Sequence, residues 1–392
     1  MNIFDTIHTN YEHHFVKSNP LFLESMFGSK DLMPLWIADM DFKIAEPITN
    51  ELQRLVDRGV YAYEFNPDSV FKTISDWNFK RHQLKLETKA FIQVSGVLTG
   101  IALLIRELTK ENDNILIQTP VYHQFHKAIE TANRKIISNP LKAVEGKYEM
   151  DFEDLEQKLQ SENIKLIILC NPHNPVGRVW NRKELQKLIS LANTYNVTIV
   201  SDEIHADIIY SKTAFTSIAS FNNESHITIL GSPAKTFGMQ SISNGYLYIP
   251  NKDVFNKIKS TVSSMYLDHG NAFSTFATIA AYTKGEAWVN ELLVYLENSI
   301  NWIQEFLQKE IPEITFFVPE GTYQIWLDFG NFNLSEEALK ELIFSKAKLG
   351  LTPGTWFDKE HSQFMRMNIA TPLSNIQEAF YRLRRALDEK SL

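Results

Sequence analysis

From about Pro47 to about Val262, short apolar runs alternate with segments of helical spacing, and no other feature constrains the fold of this chain so tightly. Such alternation describes βα units, which bury a mostly parallel sheet between layers of helices. The spacing predicts strands at 91–94, 115–117, 166–169, 197–200, 227–230 and 246–249, each bounded by polar or turn residues. Glu46-Pro47 opens a helix whose Ile48, Leu52 and Leu55 share one face, with Gly59 placed to end it. After Glu286 the pattern changes to one long helix, with Leu292, Leu296, Ile300, Ile303 and Leu307 at helical spacing. A second αβ set follows, with strands predicted at 322–329 and 364–369 and helices at 335–348 and 374–389.

At 392 residues the chain exceeds the size at which a single core stops growing. The change of pattern therefore divides it into a large domain over 47–285 and a smaller α/β domain over 286–392, with residues 1–46 expected to pack on the smaller one. A hydrophobic fraction of 44% and a charged fraction of 22% are those of a globular protein rather than a disordered or membrane-embedded one. The net charge of -8, without a lysine or arginine stripe, disfavours a nucleic-acid partner and favours a small molecule. One cysteine, Cys170, cannot form an intramolecular disulfide, and neither a basic-then-apolar start nor a bilayer-length apolar stretch occurs, so a cytoplasmic location is expected.

Ligands of open α/β sheets bind beyond the carboxyl ends of the strands. Four polar clusters stand there: Ser95-Gly96 after FIQV, Asn171 to Gly177 after LIILC, Ser201-Asp202-Glu203 after TIV, and Ser232 to Lys235 after ITILG. Together they offer a helix start, an amide, a carboxylate and an amine on one edge of one sheet. Pyridoxal 5'-phosphate (PLP) needs that set: a lysine for its aldehyde, a carboxylate at its pyridine nitrogen, a donor at its phenolic oxygen, and backbone N–H groups at its phosphate.

The segments TPVYHQF, CNPHNPVGRVW, SDEIHADIIY, SPAKTF, EGTYQIWLDF and RMNIATP occur in the order and approximate spacing of the fold-type I class I/II aminotransferase superfamily, and the resemblance runs from about Pro34 to the C-terminus. WIADMDF, NPHNPVGRVW, SDEIHAD and SPAKTF are more similar to its cystathionine β-lyase-like C–S lyase branch (MalY/PatB type) than to ordinary transaminases. This resemblance implies the PLP-dependent aspartate aminotransferase fold, with Lys235 as Schiff-base lysine and general base at the substrate α-carbon. It implies Asp202 at the pyridine nitrogen, Asn174 at the phenolic oxygen and Tyr122 stacked on the ring. Ser232 and the amides of Val97 and Leu98, after Gly96, would hold the phosphate, and Arg366 the substrate α-carboxylate. Tyr63 resembles the tyrosine that reaches the neighbouring subunit's site, which implies a homodimer.

Two departures point to the lyase branch: His205 stands where aminotransferases usually have a tyrosine three residues after the aspartate, and Ser243 where they usually have an arginine eight residues after the lysine. The Lys-Trp-Asp-like element that many such lyases carry before ADMDF is not evident in KSNPLFLESMFGSKD. The implied reaction is β-elimination of L-cystathionine or a related cysteine S-conjugate to thiol, pyruvate and ammonia. An aminotransferase would use the same residues, and a PLP-binding regulatory protein is a further alternative.

Taken singly, several of these residues also have bland readings. Asp202 could cap a helix and Glu203 lie solvated in its first turn; Asn171 and Asn174 could shape turns before proline; Tyr122 and Tyr63 could be half-buried aromatics; Arg366 could be an ion-pair partner. His205 could touch the cofactor's surroundings or be a core histidine. His123 and His126 stand three apart, but no convergent ligand accompanies them and no metal site is expected.

Overall fold

The computed structural model describes residues 2–7, 14–63, 69–221, 226–267 and 270–388. Its centre is a seven-stranded sheet in the order Phe91–Val94, Gly245–Tyr248, Ile227–Gly231, Thr198–Asp202, Ile164–Cys170, Asn114–Ile117, Lys135–Ser138. Gly245–Tyr248 runs antiparallel to both its neighbours, and the other pairings are parallel. The six expected strands lie within two residues of their expected limits. The seventh, Lys135–Ser138, was not expected: as an edge strand it buries no side chain completely and carries no long apolar run.

Successive residues of a strand face opposite sides, and the core divides accordingly. Ile167 and Leu169 pack into one apolar cluster, Leu166, Ile168 and Cys170 into the other. Both faces are covered by helices, which is why the central strands read as unbroken apolar runs. Helix Val97–Leu108 closes the second face with Ile101, Leu104 and Ile105.

Helix Glu286–Glu310 leads to a four-stranded sheet in the order Thr315–Phe316, Gln324–Asp328, Phe364–Asn368, Thr352–Pro353. Met33–Pro34 pairs in parallel with Leu349–Gly350, tying the N-terminal segment to the C-terminal part. The helix expected over 335–348 is not continuous. It runs as Glu336–Lys340 and then widens into a π-helical turn over Glu341–Lys346. Leu342, Ile343 and Phe344 are buried in succession there, and Lys348 leaves the turn at φ 53°. Three consecutive buried side chains do not suit the single apolar stripe of a regular surface helix.

Candidate active site

Strand ends of the large sheet converge with the smaller sheet on one cavity of about 430 Å³. Asp202 is the last residue of Thr198–Asp202. Lys235 sits on the four-residue helix Ala234–Phe237 after Ile227–Gly231, and Asn174 lies in the loop after Ile164–Cys170. Arg366 enters from the middle of Phe364–Asn368, opposite Trp326. Tyr122, Gly96, Val97, Leu98, Ser232 and His205 line it too, as do Ser95, His123, Cys170 and Ser243, which the sequence also singled out. Tyr63 does not line it; its side chain is fully exposed, at 108% of the reference area.

Three buried charges dominate the electrostatics. Burial pushes the Asp202 carboxyl up to about 6, against the Ile204 amide, which donates to Oδ1 at 3.1 Å, and the attraction of Lys235. Burial brings the Lys235 amine down to about 8, with Asp39 pulling the other way. Its Nζ donates to the Ala38 carbonyl at 2.6 Å, which Tyr323 Oη also reaches at 3.0 Å. Arg366 donates from Nη1 to Asn174 Oδ1 at 3.2 Å, and from Nη2 to the Trp36 carbonyl and to Thr352 Oγ1. Burial draws Arg366 down to about 10, which leaves it a cation at neutral pH.

At the other end, helix Val97–Leu108 begins at Gly96 without a side-chain cap among the described residues, so its first amides are available to an anion. Gly96 is extended, with φ 174°, so glycine is not demanded there by backbone strain. A Cβ on it would meet no protein atom within 4 Å, and glycine instead keeps the approach to those amides open. Gly245 has the tighter requirement, because a Cβ there would come within 2.9 Å of Val97 N. Ser232 Oγ donates to the Asn244 carbonyl at 2.8 Å and accepts from the Ala234 amide at 3.2 Å. Ser243 lies beside it, Oγ to Oγ 3.5 Å.

The bland readings separate on this geometry. Asp202 caps no helix. Glu203 is buried rather than solvated: it accepts from the Ile218 amide at 3.0 Å, and burial pushes it up to about 7. Asn171 is a turn residue that receives the Trp180 amide at 3.1 Å and donates to the Thr216 carbonyl, whereas Asn174 lines the cavity. His205 packs edge-on to Tyr323 with its Nδ1 buried and unpartnered among the described residues, and burial together with Lys235 and Arg366 lowers it to about 3. Cys170 is buried on the cavity wall. Among the described residues no group of three or more His, Cys, Asp or Glu side chains is placed to hold a metal. Sequence reasoning missed Trp36, Ala38, Gln240, Thr352 and Trp356 on the wall; the one signal for any of them was WIADMDF, which supplies Trp36 and Ala38.

The donor set fits PLP. It offers a buried carboxylate poised for a cationic ring nitrogen, a low-pKa amine, an amide, an aromatic face and uncapped helix amides. The chain is similar over 92% of its length, at 35% identity, to cystathionine β-lyase PatB of Bacillus subtilis (strain 168), of which 94% is matched. The crystal structure of cystalysin from Treponema denticola, which contains PLP, superposes with a TM-score of 0.92 at 30% identity, covering 99% of each chain. That of the PLP-bound C–S lyase from Staphylococcus hominis does so with a TM-score of 0.91 at 27% identity, covering 98% of this chain and 97% of that one. The family model of aminotransferase class I and II matches residues 43–383, and with the sheet order, the cavity and these likenesses in agreement, the chain belongs to that family.

Proposed function

We propose that this protein is a PLP-dependent carbon–sulfur lyase that eliminates the β-substituent of L-cystathionine or a related cysteine S-conjugate, releasing thiol, pyruvate and ammonia. The observation that carries this reading is the placement of Lys235, Asp202 and Arg366 on one cavity, an amine, a carboxylate and a guanidinium that are all buried. The likeness to PatB and to the Staphylococcus hominis C–S lyase supports the choice of substrate class.

Bound here, PLP supplies a carbonyl that takes up the substrate amine and a ring that accepts the electron pair left on the α-carbon. Arg366 grips the α-carboxylate with its planar fork and turns the α-hydrogen toward Lys235. Brought down to about 8, the Lys235 amine is partly neutral near physiological pH and can take that proton. Asp202 stays ionised beside a protonated ring nitrogen, which offsets the burial that otherwise raises it. Asn174 accepts from Arg366 through Oδ1 and keeps its amide N–H groups for the phenolic oxygen, coupling the carboxylate clamp to the ring. The electron pair from the α-carbon then forms a Cα–Cβ double bond as the C–S bond breaks with its own pair on sulfur; the thiolate takes up a proton, and hydrolysis of the released three-carbon enamine gives pyruvate and ammonia.

The reading includes a large cofactor-binding domain over 47–285 and a small domain over 286–392 that contributes Arg366. It also includes a cytoplasmic homodimer in which Tyr63, fully exposed on its own chain, serves the partner's site. An aminotransferase is the second reading, favoured by the family match. Incubating the holoenzyme with L-cystathionine, and separately with an amino acid and a 2-oxo acid, separates the two. Stoichiometric pyruvate and thiol are expected from the first incubation. Efficient amino-group exchange over many turnovers with no thiol release would overturn the elimination reading.

A further inference from the structure

The lyase reading leaves the sulfur substituent unspecified, and the cavity wall constrains it. Outward from Arg366 the wall is aromatic. The guanidinium lies 4.9 Å from the Phe357 ring centroid, His123 stands 5.8 Å from Phe357 and from Trp356, and Trp356 meets Trp36 edge-on at 6.5 Å. Trp36, His123 and Trp356 line the cavity itself.

Charge on the same wall is sparse. Among the described residues lining the cavity only Asp202, Lys235 and Arg366 are charged, and the proposed reaction commits all three, to the ring nitrogen, the α-proton and the α-carboxylate. His123 does not serve as a further cation: it is half-buried beside Arg366, its Nδ1 is buried without a partner among the described residues, and burial lowers it to about 4. Lys17, on the wall of the adjoining cavity, is already paired with Asp41 at 2.8 Å. L-cystathionine carries a second amino-acid head beyond sulfur, with one carboxylate and one ammonium. Asp39 on that adjoining wall is a carboxylate already drawn to Lys235, but the distal carboxylate meets no uncommitted lysine or arginine among the described residues of either wall, and an unpaired charge against apolar walls is costly.

Building on the lyase reading, we infer that the site is selective for cysteine S-conjugates whose sulfur substituent is uncharged and apolar, seated against Trp356, His123 and Trp36, over conjugates that carry a second charged head. Trp356 acts as a specificity-determining residue.

Binding and turnover test this separately. Two sulfur-free analogues that cannot eliminate, 2-amino-5-phenylpentanoate and 2,7-diaminosuberate, are titrated into the holoenzyme and read by tryptophan quenching and by the shift in cofactor absorbance. The phenyl analogue is expected to bind tighter by on the order of tenfold or more. In turnover, S-benzyl-L-cysteine and L-cystathionine both expel alkanethiolates of comparable basicity, so their ratio of kcat/KM reads the wall rather than the leaving group. That ratio should favour the benzyl conjugate similarly. Trp356→Ala should erase most of both preferences and Trp356→Phe restore much of them. Diaminosuberate binding as tightly as the phenyl analogue, or a preference that survives Trp356→Ala, would overturn the inference and leave the lyase reading standing. A preference in binding with no pyruvate from either conjugate would overturn the lyase reading and support the selectivity of the wall.

Discussion

Asp207 accepts a hydrogen bond from Thr236 Oγ1 at 2.9 Å, one residue beyond Lys235, and the same carboxylate receives Trp77 Nε1 and His82 Nε2, each at 2.9 Å. Helix Ser69–His82, the loop after Asp202 and the short helix that carries Lys235 therefore meet on one buried acid. Burial alone would raise this carboxyl, but His82, Arg81 and Thr236 outweigh it and hold it below its ordinary value. The position of Lys235 rests on an anion outside the cavity.

Asp207→Ala leaves three buried donors unmatched and is expected to lower the free energy of unfolding by about 3 kcal/mol. A carboxyl with a depressed native pKa stabilises the fold above its unfolded value and loses that contribution as pH falls through the native one. The deficit of the variant should therefore be full near neutrality and shrink below about pH 4. Thermal denaturation across pH measures it, and a deficit that did not change in acid would show that the charge contributes nothing.

Asp202 has the opposite sign. Its native value of about 6 lies above the ordinary 3.8, so the folded protein without cofactor binds this proton more tightly than the unfolded chain does. The group costs stability fully above about 6, and the cost disappears below about 3.8. Cofactor-free Asp202→Asn should thus melt higher than the unmodified protein near neutral pH, with the advantage closing in acid. The loaded variant should retain considerable PLP binding and lose turnover by about a hundredfold or more. Turnover near the unmodified level would mean that another group supplies the charge at the ring.

Arg366 spans three acceptors, Asn174 Oδ1, the Trp36 carbonyl and Thr352 Oγ1. A lysine keeps the charge but cannot hold these and a carboxylate at once. Arg366→Lys should raise KM for amino-acid substrates by about ten- to a hundredfold with cofactor absorbance barely changed. Steady-state kinetics beside a visible spectrum distinguish this from loss of cofactor, and an unchanged KM would make Arg366 a structural residue.

Much of this site could be read before the fold because its chemistry sits directly after apolar runs: Asp202 after TIV, Lys235 four residues after ITILG, Asn174 after LIILC. In a parallel sheet those run ends share one edge, so adjacency in space follows from the pattern. What could not be read has a different origin in each case. The partner of Lys235 is the carbonyl of Ala38, a backbone group that no side-chain pattern announces. Trp36 and Thr352 meet across 316 positions, through strands of two residues whose pairing leaves no periodicity. Glu203 follows a strand as a surface acid would, yet it is buried because the Ile218 amide and Ser201 hydroxyl lie within its reach.

Tyr63 is the remaining residue of the proposed site, and its full exposure at the end of the segment after helix Glu46–Asp57 gives it no role in the cavity of its own chain. If it serves the partner's cavity, a site needs Lys235 from one subunit and Tyr63 from the other. Lys235→Ala and Tyr63→Ala homodimers then each carry two defective sites, for different reasons. Unfolding and refolding an equal mixture yields heterodimers in which one site has both residues and the other has neither. Random association makes half of the dimers mixed, so about a quarter of the unmodified activity should return in a two-fold-symmetric assembly. Had Tyr63 acted on its own subunit, each site of the mixed dimer would still lack one residue. No recovery on mixing, with dimers verified by sedimentation, would place Tyr63 outside the partner's site.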